Sequence, residues 1–323
     1  MQTTHAPWGE GFTFFDFIFP LFLFVSGVSI PFSLAKSQSP GSGNRELYLK
    51  AFKRMVLLYC FGLIVKNIPI QFELEQTRFG NVLGRIGIGC FVATVIYLNF
   101  KWRGQLAWYF GLIITYWLAV MFIPVPGYGA GVLTQEGCLP GYIDRLLVPG
   151  RLIMGDYDEN GLSCTMPAIS LVILGTLAGN LLRNQELDPL KKVLYLVGGG
   201  LGLILLGLIW HLHFPIMKFL WSSSFISLTS GMALISLAIF YLVIDVWQIK
   251  TWSYFFVVVG LNSITIYLAT KFIDFPRIFT LLFAGIIDTI PTPFQPAFTA
   301  AGGLVIVWLL LYFLYRKKLF FKV

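Results

Sequence analysis

A histidine stands at the mouth of an apolar segment that contains a single carboxylate. The N-terminal residues read His5-Ala-Pro-Trp8-Gly-Glu10-Gly, and from Phe12 to Leu34 the only charged side chain is Asp16. As a helix that segment rises about 35 Å, enough to cross a hydrocarbon core about 30 Å thick. Imidazole titrates near neutral pH, so His5 suits removal of a proton from an incoming nucleophile. Asp16 falls about one turn inside, within reach of a group at the mouth. The pair suits nucleophile activation or a proton-linked transport path.

Other polar groups fall inside apolar runs, where each is costly and usually functional. Arg85 sits in Gly84-Arg-Ile-Gly-Ile-Gly, whose glycines let another backbone approach closely, and Asn262-Ser263 follow Gly260. Any one of them suits an interhelical hydrogen bond equally well. Together with His5 and Asp16 they favour a reaction or transport pathway. His211 and His213 are two residues apart and do not share a helix face, which suits interfacial packing better than a metal. No cysteine spacing matches a metal motif, and no metal is expected. Cys60 and Cys90 read as packing residues; Cys138 and Cys164 bracket a long polar segment and are a candidate disulfide in an oxidising compartment.

The elements that must position these groups follow from composition. The chain has 323 residues, 57% hydrophobic and only 12% charged. A soluble domain carries about 25% charged residues. Uncharged runs recur at 106–123, 164–182, 193–210, 222–244, 252–270 and 297–315, and two spans at 55–72 and 82–100 each hold one basic residue, Lys66 and Arg85. With the first segment this predicts an all-α, polytopic membrane protein of about nine transmembrane helices, because the runs are continuous rather than alternating. With the N-terminus outside, alternate loops put fifteen of the 23 basic residues on one side, among them Lys50, Lys53, Arg54, Arg316, Lys317 and Lys318. That side is expected to be cytoplasmic, so the net charge of +8 calls for no nucleic-acid partner. Residues 1–323 are read as one domain, with the polar outer segment 124–165 as a cap over a site or, equally, a solvated linker. Its acidic patch, Asp156-Tyr-Asp158-Glu159, lacks the remaining positions of a calcium loop. No inverted repeat of the transporter type is evident.

The first eleven residues have neither a basic n-region nor an apolar core. A start outside the membrane on such a tail is uncommon, so one further apolar span is expected in frame upstream of Met1.

The segment from His5 through Asp16 to Phe19-Pro20 and Gly27 resembles the signature of the heparan-α-glucosaminide N-acetyltransferase family, which has bacterial NagX-like relatives. Further matches run in order: Arg78-Phe-Gly-Asn-Val-Leu-Gly-Arg85, Pro124-Val-Pro-Gly127, Gly141-Tyr-Ile-Asp144-Arg145-Leu-Leu147, Tyr157-Asp-Glu-Asn-Gly161, Leu220-Trp221-Ser, Gly260-Leu-Asn262 and the tail from Tyr315 to Lys322. The resemblance implies a single transmembrane acyltransferase domain in a bacterial inner membrane. It would move acetyl from cytoplasmic acetyl-CoA to an amino-sugar or glycan acceptor outside. The histidine of the His-x-x-Trp motif maps to His5, with Asp16 in support, and Trp8, Asp144, Arg145 and Asn262 are assigned to the acceptor.

The inner clusters Lys50/Lys53/Arg54 and Arg316/Lys317/Lys318 suit the CoA phosphates, or serve only as topology determinants; Arg78 and Arg85 are further cofactor candidates. Two departures stand out. The family's preceding helix, with its Ser-x-Asp-x-x-Arg-Gly-type motif, is absent, and Thr270-Lys271 replace a histidine found after the eighth span in relatives. Alternative readings are an amino-sugar permease and an O-acetyltransferase of an envelope polysaccharide. Direct transfer and an acetyl-histidine intermediate both fit, and a homodimer is an open possibility.

Overall fold

A computed structural model describes residues 8–9, 11–37, 44–67 and 73–320. Among these the chain is helical, with isolated bridges in place of strands. It divides into two compact units, Met1–Leu242 and Val243–Val323.

The first unit holds eight helices: α1 (Phe14–Ser37), α2 (Asn44–Lys66), α3 (Val82–Asn99), α4 (Trp102–Phe122), the short α5 (Leu139–Leu147), α6 (Leu162–Arg183), α7 (Pro189–His211) and α8 (Ser223–Tyr241). Several starts are written locally. The Asn81 side chain caps α3 by accepting the Gly84 N–H at 2.6 Å. Asp188 caps α7 ahead of Pro189, and Ser222 caps α8 through the Phe225 N–H. At α1, Thr13 precedes the first turn, and Asp16 Oδ2 accepts both its N–H and its hydroxyl at 2.8 Å. This is one half of a capping box, with aspartate in the place of glutamate.

Glycines set the spacing of the central helices. A methyl group at Gly27 of α1 would lie 2.1 Å from the Val172 carbonyl oxygen of α6, and one at Gly175 of α6 would lie 2.1 Å from that of Phe24. Gly200 of α7 and Gly231 of α8 meet in the same way. Without a hydrophobic drive between helices in lipid, such backbone-to-backbone approach supplies the packing. Many large apolar side chains, Phe22, Leu118 and Leu205 among them, remain exposed, as a lipid-facing surface requires.

The second unit contains α9 (Ser253–Leu261), α10 (Ser263–Phe272), α11 (Phe275–Ile287) and α12 (Gln295–Arg316). α9 and α10 bend by 68° at the break. Its glycines 302 and 303 on α12 lie against Phe279 and Pro276 of α11.

The all-α polytopic class holds, with corrections in detail. Seven helices among the described residues are long and apolar enough to cross a membrane, or eight if the bent pair is one span, where about nine were expected. The expected span 55–72 is instead α2, which begins at Asn44 and takes Arg45, Glu46, Lys50, Lys53 and Arg54 into the helix. Hydropathy alone missed this because helix propensity, not apolarity, carries that end; residues 68–72 lie outside the described ones. The run 252–270 is not one continuous helix, since it breaks at Asn262.

The glycine contacts generate a test. Gly175→Leu is expected to lower the melting temperature in detergent sharply or prevent recovery of folded protein, since overpacking typically costs about 1–3 kcal/mol and here the obstacle is backbone. Gly198→Leu on α7, with nothing within 4 Å of its added methyl, is expected to change it little.

Candidate active site

Three stretches distant in sequence converge at the end of the first unit where α1 begins: 78–85, 157–160 and 217–221. Arg78 forms a bidentate pair with Asp158, Nε to Oδ2 and Nη2 to Oδ1, both at 2.8 Å, and both residues are buried. The Asn67 side chain holds the Arg78 backbone from both sides, accepting its N–H at 2.7 Å and donating to its carbonyl at 3.0 Å. Asp158 also receives the Asn160 N–H at 2.8 Å. Lys218 lies 3.3 Å from Glu159 Oε2 and 4.0 Å from Asp16 Oδ1. Asp16 is thus both the cap of α1 and an ion-pair partner.

Arg85, only 2% exposed, is held differently. Its Nη2 donates to the Glu159 carbonyl, and its guanidinium carbon lies 4.6 Å from the centre of the Trp221 ring and 5.9 Å from that of Phe19. Trp221 takes a left-handed backbone conformation (φ 53°) rare for a bulky residue. The capping of α8 by Ser222, whose Oγ also accepts the Met217 N–H at 3.1 Å, holds that turn in place.

Trp8 is half-buried at the edge of this cluster. Its indole N–H donates to the Leu133 carbonyl at 3.2 Å, and its ring meets Tyr157 edge-on and stacks on Phe219. The Tyr157 hydroxyl donates to the Phe219 carbonyl, and burial pushes this phenol well above its ordinary value. The segment 124–161 therefore packs against the bundle through the buried Tyr157, Asp158 and Asn160.

Not every candidate joins the cluster. His5 lies outside the described residues. Asp144 of α5 is fully buried and accepts the backbone and hydroxyl protons of Ser163 at 3.1 and 3.0 Å. Burial raises its carboxyl pKa, the Ser163 bonds opposing that. Arg145 is exposed and donates to the carbonyls of Asp156 and Glu136 at 2.8 Å. In the second unit, Asn262 is buried at the α9–α10 break, and Arg316, Lys317 and Lys318 end α12. The expected disulfide is absent: Cys138 and Cys164 are free thiols, Cys138 facing the Gln135 carbonyl and Cys164 the Tyr157 hydroxyl at 3.0 Å. Cys60 is exposed, whereas Cys90 is buried beside Ser26. His211 Nδ1 accepts the Ile216 N–H, fixing the turn that carries Lys218.

The sequence reading missed Lys218, Asp158 and Glu159. Lys218 was counted only as an outer basic residue, although it stands three positions before Trp221; the two acids were noted as an acidic patch and as part of a matching motif, with no role assigned.

Two cavities along α3 bear on the site. One, of about 220 Å³, lies at the clustered end beside Arg85, Asn81, Asn160 and Tyr59. The other, of about 150 Å³, lies toward the opposite ends of α1 and α3, lined by Ser29, Ser33, Lys50, Arg54, Cys90 and Thr94. Lys50 also pairs with Glu46 at 2.7 Å, and Lys53 is exposed. From Arg85 to Thr94 is nine residues of helix, a rise of about 14 Å.

A family described as a domain of unknown function (DUF5009) matches residues 3–133. The heparan-alpha-glucosaminide N-acetyltransferase of Mus musculus is 29% identical over 99% of this chain, and that of Homo sapiens is 29% identical over the same share. The chain is similar to these acetyltransferases from end to end. It spans about half their length, 56% and 55%. The resemblance first read from the His5-to-Gly27 segment thus extends through the stretches that build the charged cluster.

The buried pair and the buried acid give two tests. Arg78→Ala and Asp158→Ala are each expected to destabilise by about 3–5 kcal/mol, and the double variant by less than their sum, because each single change strands a charge; urea or thermal melts of the four proteins check this. At Asp144 the raised pKa means the folded chain holds its proton more tightly, so stability falls as pH rises from about 3.8 toward the folded value. Asp144→Asn is expected to flatten that fall and be at least as stable at pH 7, measured as melting temperature against pH.

Proposed function

We propose that residues 1–323 form one transmembrane acyltransferase domain that moves an acetyl group from acetyl-CoA to the amine of a glucosamine-type acceptor. The observation that carries the reading is that one helix, α3, borders both a cation-rimmed groove at one end and the charged cluster beside Trp8 at the other. The end-to-end likeness to N-acetyltransferases supports the reaction class.

The groove fits the donor by its chemistry. Lys50 and Arg54 at its rim supply cations for the CoA phosphates, and the hydroxyls of Ser29, Ser33 and Thr94 suit the amides of the pantetheine arm. The asymmetry of the basic residues supports a cytoplasmic position for this end and an outside position for the Trp8 end. The 14 Å rise along α3 is on the scale of the pantetheine arm that would bridge them.

In the reaction the acceptor nitrogen bonds to the acetyl carbonyl carbon, the carbon–sulfur bond breaks, and CoA leaves as thiolate. His5 takes the proton lost by the amine. Asp16, fixed by its capping role and paired with Lys218, holds a set negative charge at the start of α1 and is assigned the supporting role. Segment 124–165 acts as the cap, since Tyr157 and Trp8 close the cluster from above.

Proteoliposomes loaded with labelled acetyl-CoA and bathed in glucosamine test the reading. N-acetylglucosamine is expected outside, with no sugar entering; sugar accumulation without acetyl-CoA would establish a permease instead. His5→Ala is expected to abolish transfer while the melting temperature is kept. The Lys50→Gln/Arg54→Gln double variant is expected to raise the KM for acetyl-CoA about tenfold or more and to change kcat less, because these groups hold a part of the substrate remote from the bond broken. An unchanged KM would remove the groove from the donor site.

A further inference from the structure

The cavity beside Arg85 has an unusual electrical character. Arginine carries five N–H donors, yet of its three nitrogens only Nη2 has a hydrogen-bond acceptor, while buried Nε and Nη1 have none among the described residues. The neighbouring carboxylates are engaged elsewhere: Asp158 by Arg78, Glu159 by Lys218. No aspartate or glutamate lines the 220 Å³ cavity, whose other polar lining includes Asn81, Asn160 and Tyr59. A buried guanidinium with open donors and no carboxylate at its cavity keeps hydrogen-bonding capacity that the Glu159 carbonyl and the covering Trp221 and Phe19 rings do not use.

The Arg85 cavity shares three lining residues, Ile88, Leu162 and Thr165, with a second cavity, of about 380 Å³, between α4, α5 and α6. The second is walled by Val120, Ile143, Met166 and Ile169, and its few polar side chains are turned to partners: Ser163 to Asp144, Thr165 to the Gly161 carbonyl, Tyr116 to the Leu220 carbonyl. A cationic, hydrogen-bonding compartment thus adjoins an apolar one of larger volume.

The geometry points to a binding site for an anionic amphiphile, with its phosphate or carboxylate on Arg85 and its hydrocarbon along α4, α5 and α6. Nη1 offers donors on one edge of the guanidinium and Nε one on the other, and an anionic oxygen at either would supply a charge-assisted partner. A small free anion would leave the adjoining apolar cavity unused, and a neutral lipid would leave Arg85 uncompensated. The site is read by binding alone, so it stands or falls separately from acetyl transfer.

Native mass spectrometry of the purified chain tests it, with dioleoyl phosphatidate, a polyprenyl phosphate, dioleoylglycerol and glycerol 3-phosphate titrated separately. The wild type is expected to retain one phosphate-bearing lipid about tenfold more strongly than dioleoylglycerol, the scale of one charge-assisted contact. Glycerol 3-phosphate is expected not to displace it at equal concentration. The tighter of the two phosphate lipids names the source. Arg85→Gln is expected to erase the preference for charge. Ile143→Trp, which fills the apolar compartment and leaves Arg85 in place, is expected to weaken both phosphate lipids and keeps the test open should Arg85→Gln fail to fold. Equal retention of charged and neutral lipids by the wild type would reduce the site to ordinary annular lipid and overturn the proposal. Displacement by glycerol 3-phosphate, or unchanged retention in Ile143→Trp, would overturn the amphiphile.

Discussion

Buried charge in a molecule with little water to spend on it is the constraint on which the clustered end depends. Arg78, Arg85 and Lys218 come from two segments, and Asp16, Asp158 and Glu159 from two others. In a low-dielectric setting each alone is expensive, and each becomes tolerable only when the others arrive. The bidentate Arg78–Asp158 pair ties the approach to α3 to the outer segment. Lys218 ties that segment to α1, and the Trp221 ring covers Arg85 from the turn ahead of α8. Neutralising that cluster joins four separate parts of the chain in one place.

Close helix packing makes that convergence geometrically available. α1 and α6 touch backbone to backbone at Gly27 and Gly175, so the start of α1 is brought beside the segment that leads into α6. Gly161, at the entry to α6, is pressed against Asp144, where a methyl group would lie 1.7 Å from the carboxylate. Residues that read as featureless in a hydropathy profile decide where the charged ones meet.

Asp16 shows how one group serves local and tertiary structure together. Its Oδ2 closes the first turn of α1, which fixes the carboxylate rather than leaving it to swing. Its Oδ1 then faces Lys218 across the bundle. A carboxylate held in this way keeps its charge in a set position, which is what preorganised electrostatic support requires.

The apolar runs, the basic-residue asymmetry and the ordered motifs were legible because each is a property of local composition: a helix in lipid must be apolar along its own length. On those grounds the sequence alone determined the all-α membrane class and the likeness to a family of acetyltransferases. It also marked Asp16 and Arg85, since a charge inside an apolar run stands out wherever the chain goes. Lys218, Asp158 and Glu159 did not stand out, because in polar loops a charge has no local cost and its burial arises only when distant segments fold together. The early charged start of α2 was hidden for a different reason, since helix propensity rather than apolarity carries it. Partnership between charges, and the cavity left beside the buried Arg85 guanidinium, were decided by tertiary structure, because only there do residues about sixty to two hundred positions apart share a single low-dielectric space.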